Sequence, residues 1–99
     1  MLDTLTYTPV HGEHTTPPIT VYALSTCGFC KRAMTYLEKN KFAYRFIYMD
    51  AIPIEIKNEA KRTLKEKFKV DIAFPFATIG ESEHLVGFIE ADWKRTLGL

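Results

Sequence analysis

Two cysteines, Cys27 and Cys30, are the only ones in a chain of 99 residues, and two residues separate them at the junction of an apolar run and an amphipathic stretch. No other feature limits the possible folds so much. A disulfide framework that staples a small domain needs several cysteines spread along the sequence, so this pair calls for a local chemical use. The residues ahead of it, Ile19 to Leu24, are short, apolar and rich in β-branched and aromatic side chains, which predicts a largely buried strand. Behind it, Cys30, Ala33, Met34 and Leu37 fall at i, i+3, i+4 and i+7 within Phe29 to Lys41, and Lys31, Arg32, Glu38 and Lys39 are left to face water. Ser25, Thr26, Cys27 and Gly28 are polar or small and supply N-cap candidates. The cysteines therefore sit where a strand turns tightly into a helix, with Cys30 on the inward stripe.

The rest of the pattern extends this unit. Phe42 to Met49 reads as a second strand ending near Asp50, which makes the first unit βαβ with parallel strands and a right-handed crossover. Ile54 to Lys69 carries Ile56, Ala60, Leu64 and Phe68 at intervals of four among Lys and Glu, an amphipathic second helix. Phe76 to Ile79 and His84 to Val86, joined by Gly80 to Glu83, predict an antiparallel hairpin. Ile89 to Leu97 closes the chain as a third helix, with Glu90 and Asp92 near its start and Lys94 and Arg95 later, as the helix dipole favours. The expected topology is βαβαββα, a four-stranded mixed sheet flanked by three helices. Residues 1 to 18 hold five Thr, three Pro and little hydrophobic pattern, and are expected as a loosely attached extension to a domain of residues 19 to 99.

Size and charge narrow the function. At 46% hydrophobic and 25% charged residues the composition is that of one domain with a packed core. A net charge of +1 gives no broad field to attract nucleic acid or an anionic membrane. The sequence lacks a stretch of about 18 apolar residues, the minimum for a spanning helix, and its start lacks the basic and apolar parts of a secretory signal. A monomer in the cytoplasm is the expectation.

A helix N-terminus exposes unpaired backbone N–H groups that favour a thiolate over a thiol at Cys27. Cys27, ahead of the helix and beside Gly28, is positioned to attack a substrate disulfide. Cys30, on the inward stripe, is positioned to attack the resulting mixed disulfide and release the reduced substrate. The competing reading is a zinc site, or an adaptor with idle cysteines, in which the pair joins His11 and His14, or His84, as ligands. Phe74-Pro75, just before the third strand, is a further signal: a proline there belongs at a strand start or in a tight turn.

Ser25-Thr26-Cys27-Gly28-Phe29-Cys30-Lys31-Arg32-Ala33, Phe74-Pro75-Phe76-Ala77-Thr78-Ile79-Gly80 and Val86-Gly87-Phe88 together resemble a glutaredoxin, over roughly residues 19 to 97. The resemblance implies a thioredoxin-like fold with sheet order 2-1-3-4 and cytoplasmic dithiol-disulfide exchange on protein substrates, without a bound cofactor or metal. It further implies that Pro75 is a cis-proline facing the cysteines, that the Phe74 backbone pairs with a bound peptide or glutathione, and that Phe29, Gly87 and Phe88 border the substrate. Some members bind an iron–sulfur cluster between two subunits together with glutathione, and glutathione is also a candidate co-substrate of the exchange reaction. Glutathione-using members commonly carry Cys-Pro-Tyr-Cys, a Lys three residues before the first Cys, and Gly-Gly-x-Asp. This chain has Cys-Gly-Phe-Cys, Leu24 and Val86-Gly87-Phe88-Ile89 in those places. Gly87-Phe88 is similar instead to the subgroup reduced by thioredoxin reductase, so glutathione and thioredoxin reductase are both candidate reductants.

Overall fold

The computed structural model describes residues 2–99. Its strands are β1 (Thr8–Val10), β2 (Ile19–Ala23), β3 (Tyr44–Tyr48), β4 (Phe76–Ile79) and β5 (Glu83–Val86); its helices are α1 (Gly28–Lys39), α2 (Ile54–Phe68) and α3 (Glu90–Thr96). They form one sheet in the order β1-β3-β2-β4-β5. β2 runs parallel to β3 and antiparallel to β4, and β5 returns antiparallel beside β4. The four strands expected from the sequence are present in the expected order, and a fifth adds to the edge beyond β3.

β2 is central, so every one of its residues is buried, and its alternation serves two cores. Ile19, Val21 and Ala23 join Cys30, Ala33, Met34 and Leu37 of α1, Leu85 of β5 and Trp93 of α3 in one cluster. Tyr22, on the other face, joins Ile47, Met49, Phe76 and the Ala60–Leu64 stripe of α2. Helices thus cover both faces of the sheet, and α1 is fixed from below by the side chains that fix β2. Both long helices end beside residues of positive φ that are not glycine, Lys41 at 65° and Lys69 at 60°. That is why neither end carries the usual glycine signal.

The fifth strand comes from the segment read as a loose extension. Thr8, Pro9 and Val10 pair antiparallel with Phe46, Arg45 and Tyr44; as an edge strand, β1 tolerates the missing N–H of Pro9. Side chains secure the arrangement. The Tyr7 hydroxyl donates to Leu2 O at 2.8 Å and lies 3.1 Å from the Tyr22 hydroxyl. The Arg45 guanidinium lies 3.9 Å from the centre of the Tyr7 ring while its Nε donates to Thr20 Oγ1 at 2.9 Å. Further on, His14 exchanges backbone hydrogen bonds with Lys41 O and Ala43 N, and Gly12 passes so close that a Cβ there would lie 2.5 Å from Ala43 N. Strand β1 replaces the expected free edge of the sheet with a covered one.

Candidate active site

Parallel strands bring their C-terminal ends to the same edge of a sheet, and the chemistry gathers there. The β2–α1 loop carries Cys27; β3 ends beside Asp50; Phe74-Pro75 enters β4 opposite the end of β2, where Tyr22 pairs with Phe76; and Gly87 follows β5, where Val86 pairs with Phe76. Four chain segments distant in sequence thus converge at this end of the sheet.

Cys27 is itself the N-cap of α1, one of the four residues from Ser25 to Gly28 that the sequence offered for that place. Its Sγ accepts a hydrogen bond from the Cys30 backbone N–H at 3.2 Å. The bond fixes the sulfur against the first turn of the helix, on the side where Cys30 enters. Cys27 is half-buried, whereas Cys30 is fully buried, and the two are unbridged. Burial pushes the Cys30 thiol up to about 12, and the hydrogen bond to Cys27 pushes in the same direction. One sulfur therefore meets solvent, while its neighbour is held as a thiol beneath it.

The loop ahead of the cysteines has an anchor that the sequence did not single out. Ser25 N and Oγ donate to the two Asp50 carboxylate oxygens at 3.0 and 2.5 Å. These hydrogen bonds, the side-chain one first, hold the Asp50 carboxyl below its ordinary value. They tie the β2–α1 loop to the end of β3 across the sheet edge. The available signal was weak: an acidic residue at the end of the second strand and a serine after the first, which only the parallel pairing brings together.

Phe74–Pro75 is a cis peptide bond, and Pro75 is fully buried. The Cys27 Sγ lies 4.0 Å from Phe74 O, so this segment faces the exposed sulfur. Gly87, at φ 72°, donates its N–H to Pro75 O at 2.7 Å, and the Trp93 indole donates to Gly87 O at 3.0 Å. The Gly87 turn thus ties the proline segment to α3. A second cis bond, Thr16–Pro17, lies outside this constellation.

The aromatic residues divide. Phe29, between the cysteines in sequence, is 59% exposed, and Ile89, which precedes α3, is exposed to the same degree. Phe88 packs instead between Tyr36 and Trp93, with ring centres 5.7 and 5.5 Å away. The zinc reading finds no support: among the described residues no three His, Cys, Asp or Glu side chains are grouped to hold a metal. His14 lies against Phe42, and His84 stacks on Phe76. Among the described residues no helix is long and apolar enough to cross a membrane.

A helix-capping cysteine, a buried partner one turn on and a cis-proline across from them, on a sheet of this order, define the dithiol class with a thioredoxin-like fold. The glutaredoxin family model matches residues 19–74, and the chain belongs to that family; in general terms it is a thiol-disulfide oxidoreductase. Among solved structures, the glutaredoxin from Methanosarcina mazei is similar at 26% identity and a TM-score of 0.79, over 94% of this chain and 88% of that one. Methanoredoxin from Methanosarcina acetivorans is similar at 27% identity and a TM-score of 0.72, over 83% of this chain and 85% of that one. A glutaredoxin from Archaeoglobus fulgidus, 23% identical, shares the fold at a TM-score of 0.69 over 80% of this chain and 84% of that one. No curated protein matches the sequence.

Proposed function

We propose that this protein reduces disulfides of protein substrates by cycling Cys27 and Cys30 between dithiol and disulfide. The observation that carries this reading is the pairing of a half-buried sulfur, hydrogen-bonded by the Cys30 N–H at 3.2 Å, with a fully buried thiol one helical turn away. In the first step the Cys27 thiolate attacks one substrate sulfur. The substrate disulfide breaks, a mixed disulfide forms, and the departing substrate thiolate takes a proton from solvent. In the second step Cys30 loses its proton and attacks the Cys27 sulfur, which releases the other substrate thiol. The substrate gains two electrons and two protons, and the protein is left with an intramolecular disulfide. Phe29 borders the entering substrate, and the Phe74 backbone, beside Pro75, offers it a strand edge. Gly87 forms the opposite wall, with Phe88 half-buried behind it against Tyr36 and Trp93, and no bound cofactor is needed.

Electrons return from thioredoxin reductase in this reading, because Leu24 and Val86-Gly87-Phe88-Ile89 lack the cation and the Gly-Gly-x-Asp of the glutathione-using pattern. The test couples insulin-disulfide reduction to NADPH, with either thioredoxin reductase or glutathione plus its reductase. Turnover with the first system is expected. Turnover only with glutathione reassigns the reductant, and no turnover with either, or full activity of Cys27→Ser, overturns the redox assignment.

A further inference from the structure

The proposed reaction does not use the outer face of α1, yet that face is unusual in charge. Lys31, Arg32 and Lys39 are exposed, and none of them makes an ion pair among the described residues. The helix's one acidic residue, Glu38, accepts from the Tyr44 hydroxyl at 2.6 Å, on the side turned toward β3 rather than toward the segment after β5. Arg32, Tyr36 and Lys39 recur at helical spacing on one side, and there a groove of about 350 Å³ opens between α1 and the segment after β5. Its apolar wall is Phe88, in contact with the Tyr36 ring, and Glu90 is its one acidic side chain. The strip is continuous with the active site, because the Arg32 guanidinium lies 5.6 Å from the ring centre of Phe29, and Phe29 stands between the two cysteines in sequence.

We propose that this strip selects the substrate: the protein prefers disulfides whose cysteine lies close in sequence to several acidic residues, in a segment laid along α1. The inference rests on the redox reading above and names the class of partner for the same site. Geometry sets the spacing. From Cys27, the attacking residue, to Lys39 the helix rises about 18 Å at ~1.5 Å per residue, which an extended peptide covers in about five residues at ~3.5 Å each. Carboxylates two to five positions from the attacked cysteine therefore fall over Arg32, Lys31 and Lys39. A run of acidic side chains meets three cations and one carboxylate there, whereas a basic run meets the same cations in repulsion. Exposed pairs of this kind are individually weak and screened by salt. Together they give roughly a tenfold preference at low salt, expressed mainly in the rate of encounter.

Three disulfide-linked peptide dimers test this, identical except that the positions two to five residues either side of the cysteine are Glu, Gln or Lys. Each is mixed with pre-reduced protein in single-turnover stopped flow, and each rate is divided by that peptide's own rate with dithiothreitol. The Glu peptide is expected to react about tenfold faster than the Gln peptide at low ionic strength, and the Lys peptide slower. The gap should close as added salt shortens the screening length to about 3–4 Å. Arg32→Glu/Lys39→Glu should invert the Glu-to-Gln ratio, and the milder Arg32→Gln/Lys39→Gln should bring it close to one. Because the ratio is taken within each protein, an altered reactivity of Cys27 cancels. Equal rates for Glu and Lys peptides, or a preference that survives charge reversal, overturn the substrate preference and leave the redox reading standing. Failure of all three peptides to be reduced overturns both.

Discussion

Raising the pH of the reduced protein should reveal the cost of burying Cys30. Burial, above all, pushes its thiol up to about 12 in the folded chain from an ordinary value of 9.0. A folded-state value raised above the unfolded one means stability that is complete below pH 9 and is lost as pH rises toward 12. Above pH 9 the unfolded chain releases this proton and the folded chain keeps it. Three units at ~1.36 kcal/mol each set a ceiling of about 4 kcal/mol, of which roughly 1 kcal/mol is lost by pH 10. Tyr22 and Tyr44 are also pushed above their ordinary 10.0, mainly by burial, and add losses of their own at higher pH. The decisive window is therefore pH 8 to 10, with urea unfolding of the reduced protein as the assay and Cys30→Ala as the comparison. Wild type should lose about 1 kcal/mol more across that window than Cys30→Ala, whatever the absolute difference between them. Parallel curves for the two proteins would refute the claim that burial holds Cys30 as a thiol.

Three further outcomes follow from the same geometry. At pH 7 a modest excess of iodoacetamide should modify the reduced native protein at Cys27 alone, and in denaturant at both cysteines; peptide mapping that found native Cys30 modified first would contradict its burial. Trp93→Phe should destabilise the protein by about 2–3 kcal/mol, from the lost indole hydrogen bond to Gly87 O and the space left in a closed core, with a urea midpoint shift as readout. A change below 0.5 kcal/mol, roughly that of a neutral surface substitution, would show that the indole anchors nothing. Gly12→Ala should cost about 1–3 kcal/mol, because its Cβ would meet the backbone of Ala43 and Phe42 at 2.5 Å. That site is at the end of the sheet away from Cys27, so insulin reduction should stay at the wild-type rate; unchanged stability would mean that the N-terminal segment is not pinned where it lies.

The parts of the fold visible in the sequence are those whose burial is periodic. The run from Ile19 to Leu24, the Cys30–Leu37 stripe and the Ala60–Leu64 stripe each announce themselves because one face of one element meets one core. β1 left no such trace. It is three residues long, includes a proline, and buries none of them fully; it is a strand only because the β3 edge supplies partners. Helix ends were legible only to within a residue or two, since Lys41 and Lys69 adopt the left-handed conformation that a glycine would have advertised. At the site, the cysteines and Phe74-Pro75 could be picked out from neighbours in sequence. The Ser25–Asp50 anchor could not, as its two residues are 25 positions apart and polar, and polar residues at the ends of strands are ordinary. Phe88, expected at the substrate border, is half-buried against Tyr36 and Trp93, while Ile89 beside it is exposed. The turn that precedes them, with Gly87 at φ 72° and bonded to Pro75 O, left no sequence signal beyond the glycine itself.

The division of labour between the two sulfurs meets its most direct test in the mass spectrum of single-cysteine variants incubated with a disulfide-linked peptide. Cys30→Ser should accumulate a stable adduct of one peptide through Cys27, released by dithiothreitol, while Cys27→Ser should stay unmodified on the same timescale. An adduct that forms readily on Cys30 in Cys27→Ser, or none on Cys27 in Cys30→Ser, would contradict an exposed attacker and a buried resolver.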